Sequence, residues 1–200
     1  SRKLAHMILF PHDDRMVALV GEDAYVRWMD DQNIGAKSKA EALTIIAEAD
    51  RSLKRLHLTA NAAKSTLLTL ESARRHFHLD INAKLDKIEE FDCKTSSERR
   101  KCARAVQQVW REARRHEGVG EWGKILKRLY RLAGRSRCGI LRRRAVDDIL
   151  HNPDLVARVA DYVRVTGEVA AFLRFAERIW NHPEQTYPSV SRALCEALLR

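Results

Sequence analysis

Apolar residues recur at helical spacing along most of this chain and alternate like a strand in one place. In residues 1–20, Leu4, Met7, Ile8, Val17 and Val20 fall at helical intervals, with Pro11 marking a break or a fresh first turn. Gly21, Glu22 and Asp23 then signal a turn. Residues 24–29 read as a strand, followed by Asp30 and Asp31 and a second short run through Ile34. The pattern predicts a small β-hairpin with a carboxylate pair at its bend. Ser38 suits a helix N-cap, with Glu41 completing a capping box, and Ala42, Ile45, Ile46, Ala49 and Leu53 form an apolar stripe that packs on the hairpin. Residues 56–59 and 65–69 read as short strands or irregular segments joined across residues 61–64.

Beyond residue 70 strand signals nearly vanish. Helices are expected at about 71–90, 95–117, 121–133, 136–151, 153–165, 167–182 and 188–200, punctuated by Gly118, Gly120, Gly134, Pro153, Gly167 and Pro183. Ile149-Leu150-His151-Asn152-Pro153 is echoed 30 positions later by Ile179-Trp180-Asn181-His182-Pro183. Two copies of a helix-turn-helix unit suit an α-solenoid, and simple antiparallel helix pairing produces the same echo. The fold class expected is mainly α with a small β-hairpin element, divided at residues 1–70, 71–135 and 136–200.

Composition narrows the class. In 200 residues an apolar content of 45% supports a packed core rather than disorder. No apolar run approaches the roughly 18 residues of a membrane span, and no signal-peptide pattern is present, so the chain reads as a soluble cytoplasmic piece of a longer protein. Cys93, Cys102, Cys138 and Cys195 lie far apart without a CxxC pair and read as reduced thiols, most of them in helices. His76 and His78, two apart on an expected helix, point to different faces and make no zinc pair.

Charge is concentrated. Residues 99–144 carry 16 Lys/Arg against 3 Asp/Glu, whereas the rest of the chain holds 21 against 24. All of the formal excess of +10 therefore sits in one segment. Such a segment is the footprint of a surface that follows a phosphate backbone, or else a solvated helical face. Arg99, Arg100, Arg104, Arg111, Arg114 and Arg115 recur at helical spacings, and Lys124, Lys127 and Arg128 continue the series. Trp110 and Trp122 lie among them, as base-stacking platforms or, more commonly for helical tryptophans, as core anchors.

The sharpest candidate chemistry is Tyr25-Val26-Arg27-Trp28-Met29-Asp30-Asp31. Alternation places Val26, Trp28 and Asp30 on one face and Tyr25, Arg27 and Met29 on the other. Adjacent carboxylates at a tight bend suit divalent-metal phosphoryl transfer, in which Mg²⁺ or Mn²⁺ activates a hydroxyl and stabilises the leaving pyrophosphate. An Asp-Asp pair is also an ordinary turn or N-cap feature, the reading given to Asp13-Asp14 and Asp147-Asp148.

Order along the chain adds to this. Val26-Arg27-Trp28-Met29-Asp30-Asp31 resembles the aromatic-x-Asp-Asp strand-turn-strand of reverse transcriptases. The helix expected after Ser38 is similar to that family's next motif, and His57-Leu58-Thr59-Ala60-Asn61-Ala62-Ala63-Lys64-Ser65 resembles its Gly-Leu-x-Leu-Asn-x-x-Lys-Thr segment. Ser1-Arg2-Lys3-Leu4-Ala5-His6 resembles the tail of the template-gripping motif in bacterial abortive-infection and defence-associated members. Trp28 stands in the usual tyrosine place, His57 in a glycine place, and polar Gln32-Asn33 where apolar residues are common.

The resemblance covers about residues 1–70. It implies an RNA-directed DNA polymerase acting in antiviral defence, its synthesis RNA-templated or template-independent, with deoxynucleoside triphosphates, an RNA template and a DNA primer or product as partners. Asp30 and Asp31 would be catalytic metal ligands. Trp28 would touch the primer end or incoming nucleotide, Asn61 would lie in the nucleotide site, and Lys64 would sit near the triphosphate. Without the motif, Lys64 reads as a surface lysine. The first palm aspartate and the fingers would come from the remainder of the same polymerase, so this stretch alone should not polymerise. The basic helices would form the thumb. A non-catalytic nucleic-acid-binding module and a helical-repeat interaction protein are the alternatives.

Overall fold

The computed structural model describes residues 6–167, 169–183 and 187–199. Residues 1–5, which carry most of the Ser1–His6 resemblance, lie outside them, as do Glu168 and Arg200. The chain forms two compact units, residues 1–68 and 69–200.

In the first unit, helix α1 (Phe10–Val20) opens with Pro11 in its first turn, where a missing N–H costs nothing, and stops at Gly21 with φ of 88°. A single turn (Glu22–Ala24) leads into β1 (Tyr25–Trp28), which pairs antiparallel with β2 (Asp31–Ile34). Helix α2 (Lys39–Arg55) follows, N-capped by the Ser38 hydroxyl on the Glu41 amide. The expected reciprocal arm goes elsewhere: Glu41 Oε2 accepts from the Lys37 amide at 2.5 Å, one residue earlier than a capping box requires. Met16, Tyr25, Ala42, Ile45 and Leu53 make the small core, with His12 buried among them. Ile46, expected on the buried stripe, is exposed together with Leu43.

Residues 56–59 and 65–69 are not strands. Both lie outside any ladder, and Leu58 and Leu67 remain exposed, so neither a pairing edge nor a core face holds them extended. Between them runs one short turn, Ala62–Lys64.

The second unit is helical: α3 (Leu70–His76), α4 (Leu79–Glu89), α5 (Ser96–Ala113), α6 (Trp122–Arg135), α7 (Ala145–His151), α8 (Val156–Thr166), α9 (Val169–Trp180) and α10 (Pro188–Leu198). Helix α5 carries a true capping box, Thr95 with Glu98. One continuous apolar core runs from Ile81 to Ala197, so residues 71–135 and 136–200 pack as a single body. Helix α8 lies at its centre against α6, α9 and α10. Its close approach to α6 passes over Gly134, where a methyl group would lie 3.4 Å from Val165 and 3.8 Å from the Tyr162 backbone. The two echoed segments both end helices, and Ile149 and Ile179 are buried in the same core.

The helix expected over 71–90 is broken. His78 adopts the left-handed conformation (φ 49°), and its Nε2 donates to the Val119 carbonyl at 2.7 Å. The Glu121 amide donates to the His76 carbonyl at 2.9 Å, bringing the loop after α5 onto the break. This approach requires Gly120 (φ 53°), since a Cβ there would stand 2.2 Å from the His76 oxygen. His76 and His78 thus belong to different elements, and His78 is a buried structural donor. Trp110 and Trp122 are buried as a tilted pair with centroids 6.3 Å apart, which makes them core anchors.

All four cysteines are free. Cys102 and Cys195 lie in helices, whereas Cys93 and Cys138 sit in loops. Burial and the neighbouring Cys93 thiol push the Cys102 thiol up to about 12, so it stays protonated and unreactive at neutral pH.

Candidate functional site

The β-hairpin turns through only two residues, Met29 and Asp30, which set Trp28 directly opposite Asp31. Side chains alternate as expected of a strand. Tyr25, Arg27, Gln32 and Ile34 face α1, while Val26, Trp28, Asp31 and Asn33 face solvent. Trp28 is 77% exposed, and Asp30 and Asp31 are exposed beside it. Two adjacent carboxylates and an indole are therefore displayed on an open edge with no packing role.

The opposite face is fastened by a polar cluster. Arg27, its side chain 7% exposed, makes a forked ion pair with Asp13 of α1: Nε donates to Oδ1 at 2.6 Å and Nη2 to Oδ2 at 2.5 Å. The Tyr25 hydroxyl donates to the same Oδ1 at 2.7 Å. Arg27 Nη1 donates to the Met29 carbonyl at 2.6 Å, so the guanidinium reaches from helix to turn. His6 Nδ1 accepts from the same Nη1 at 3.3 Å, and its Nε2 donates to Met29 Sδ at 3.2 Å. His12 Nε2 donates to Gln32 Oε1 at 2.9 Å on the second strand.

These bonds hold Met29 in the left-handed conformation (φ 59°), a turn position that normally selects glycine. Burial raises the Asp13 carboxyl, but bonds from Arg27 and Tyr25 outweigh it and hold the group below the usual carboxylate range. Burial and the Asp13 carboxylate push the Tyr25 hydroxyl well above its ordinary value. Asp13, read from sequence as a turn or cap residue, is instead the anchor of the hairpin. The signal available was Arg27 itself, a cation on the inward face of an amphipathic strand, which requires an acidic partner.

Asn61 and Lys64 shape their own turn. Asn61 Oδ1 accepts from the Ala63 amide at 3.1 Å, and the Asn61 carbonyl accepts from the Lys64 amide at 3.0 Å. Lys64 is exposed. Neither Asn61 nor Lys64 is joined to Asp30 or Asp31 by a hydrogen bond or ion pair among the described residues. The pair Asp30 and Asp31 offers hard oxygen donors of the kind Mg²⁺ prefers, and this cation commonly takes one or two protein carboxylates with water and phosphate oxygens. No group of three or more His, Cys, Asp or Glu side chains placed to hold a metal occurs among the described residues.

In the second unit the basic residues divide by partner. Arg99 is spent on the Cys93 and Lys94 carbonyls, Lys124 pairs with Glu121, and Arg128 binds Asp86, Glu89 and Asn82. Arg144 lies 4.6 Å over the Trp110 ring and pairs with Asp148, a buried carboxylate that also accepts from the Tyr130 hydroxyl at 2.5 Å. Asp148 is thus a core anchor and not the turn or cap residue expected. Arg100, Arg104, Arg111, Arg114, Arg115 and Lys127 have no carboxylate partner among the described residues. Arg100, Arg104, Gln108 and Arg111 fall on one exposed stripe of α5, roughly 16 Å long at 1.5 Å per residue, and Arg114 and Arg115 follow at its end.

No helix among the described residues is long and apolar enough to cross a membrane. No protein-family model, curated protein or solved structure matches the chain.

Proposed function

We propose that this chain carries the later part of a reverse-transcriptase-like palm, in a cytoplasmic polymerase of bacterial antiviral defence that makes DNA by metal-dependent nucleotidyl transfer. The observation that carries the reading is the hairpin: a two-residue turn exposes Asp30 and Asp31 beside Trp28, while the buried Arg27–Asp13 pair fixes the opposite face. In this reading Asp30 is the main ligand of the strand and Asp31 its neighbour. Asp30 and Asp31 would hold Mg²⁺ or Mn²⁺, which would supply charge neutralisation and activation of the primer hydroxyl. Trp28 offers a flat face to the primer end or the incoming deoxynucleotide. Lys64 supplies a cation for the leaving pyrophosphate, positioned by the Asn61 turn. Two carboxylates do not complete a two-metal site, so a further palm aspartate and the fingers act with these residues.

The test is incorporation of labelled deoxynucleotides by the full-length protein with Mg²⁺, with and without an RNA template, beside Asp30→Ala. Loss of incorporation in a variant whose hydrogen-exchange pattern matches the wild type is expected, because Asp30 is exposed and carries no packing. Undiminished incorporation would remove Asp30 from the chemistry.

A second reading, a nucleic-acid-binding module without catalysis, has its own observation in the unpaired cations along and after α5. Arginine forks on a helix face contact phosphates without reading bases. The two readings are compatible, since the same stripe suits a thumb following a primer–template backbone.

A further inference from the structure

The chain from the end of α6 to the short helical turn Gly139–Arg144 meets the α8–α9 junction around an open cleft of about 430 Å³. Arg137, Arg142, Thr166 and Gly167 line it, with Val165 and Ala171 supplying apolar surface. Arg142 differs from the stripe on α5 in being held in place. Arg142 Nε donates to the Thr166 hydroxyl at 3.3 Å, and that hydroxyl donates to the Tyr162 carbonyl at 2.7 Å, so the threonine is fixed in turn. Gly139 leaves room for the guanidinium, which would stand 3.3 Å from a Cβ at that position. Neither terminal nitrogen of Arg142 has a hydrogen-bond or ion-pair partner among the described residues.

Arg137 occupies the left-handed position that ends α6 (φ 53°), with its amide bonded to the Gly134 carbonyl at 3.0 Å and the Cys138 amide to the Ala133 carbonyl at 2.8 Å. That pair of bonds is the helix ending that normally selects glycine, because a Cβ there is strained. An arginine kept at this position bears a conformational cost that its exposed side chain does not offset by any bond to the described residues. Neither arginine has a carboxylate partner among the described residues.

We propose that this cleft is a binding site for a phosphate monoester, with Arg137 and Arg142 gripping the phosphate oxygens and the esterified group resting on Val165 and Ala171. Two guanidinium forks match a tetrahedral dianion better than a carboxylate, and the volume suits a mononucleotide or the terminal nucleotide of a strand. The site lies wholly in the second unit and does not depend on the hairpin chemistry.

The test follows the arginine Nε–Hε resonances of the 200-residue chain during titration with adenosine 5′-monophosphate, with adenosine as control. Saturable shifts at Arg137 and Arg142 are expected with the nucleotide and not with adenosine. Arg142→Lys should weaken binding about tenfold or more by removing a fork. Arg137→Gly should weaken it comparably while leaving the unfolding midpoint unchanged or higher, which separates ligand binding from folding. Arg143→Gln, a neighbouring exposed cation outside the cleft, should leave affinity unchanged. Absence of saturable shifts, equal binding of adenosine, or an Arg143→Gln loss matching that of Arg142→Lys would each overturn the site. Stronger binding of a 5′-phosphorylated oligonucleotide than of the mononucleotide would support it with a strand end as the source, and the reverse order would support it with a free nucleotide.

Discussion

Replacing Asp13 by Ala tests how the hairpin is held. The change strands the Arg27 guanidinium, whose side chain is 7% exposed, and removes the acceptor of the buried Tyr25 hydroxyl. Breaking one partner of a buried ion pair costs about 3–5 kcal/mol, because the remaining charge is neither solvated nor paired. A unit of 68 residues has a total stability of only about 3–10 kcal/mol. Amide exchange in α1, β1 and β2 should therefore accelerate by about a hundredfold or more, at 1.4 kcal/mol per decade, while amides of α6 and α8 keep their protection. The double variant Asp13→Ala with Arg27→Met should recover much of the loss, since a well-packed apolar replacement of a buried pair is close to neutral. Acid gives an independent handle. Asp13 titrates lower in the folded chain than in the unfolded one, so its contribution is complete above the unfolded value of about 3.9 and lost as pH falls through the folded value. Asp13's contribution to hairpin protection should be lost below about pH 4, and the double variant should lack that share of the acid decline. Exchange in the hairpin of Asp13→Ala within twofold of wild type would refute the argument that this pair anchors it.

Two glycines of similar backbone should behave differently. Gly118→Ala (φ 76°) meets open space and should cost about 1 kcal/mol from backbone strain alone, whereas Gly120→Ala forces a methyl group against the His76 carbonyl and should cost several-fold more in a denaturant titration. Reversing Arg100, Arg104 and Arg111 to Glu should weaken binding of nucleic acid of any sequence and reduce the slope of log affinity against log salt by about 3, read by fluorescence anisotropy across salt concentrations. An unchanged slope would remove the stripe from the contact.

Local order was legible because it is written in neighbouring residues. A hairpin here follows from Tyr25-Val26-Arg27-Trp28 running into polar residues, although it turns at Met29-Asp30 and not at the Asp30-Asp31 bend expected. Most helices beyond residue 95 follow from apolar spacing with glycine and proline at their ends, the one expected over 136–151 beginning only at Ala145. The exposure of Trp28 was not legible, because Val26 and Trp28 are the apolar positions of the strand yet face outward, while Arg27 turns inward to Asp13. What tertiary structure decided depends on residues far apart in the chain. The helix expected through residue 90 breaks at His78 because Val119 and Gly120 arrive there, 41 and 42 positions later. Strand-like segments at 56–59 and 65–69 found no ladder to join, and strand propensity without a partner leaves backbone groups to water. Asp13 and Asp148, indistinguishable by local sequence from cap residues, became buried anchors because Arg27, Tyr25, Arg144 and Tyr130 converge on them. The run of 16 cations was likewise divided only by folding: Arg128 and Arg144 turn inward to carboxylates, Arg142 is tied down beside Arg137, and the stripe on α5 is left to solvent. Charge can be counted along a chain, but which charges remain free depends on the partners that packing brings within reach.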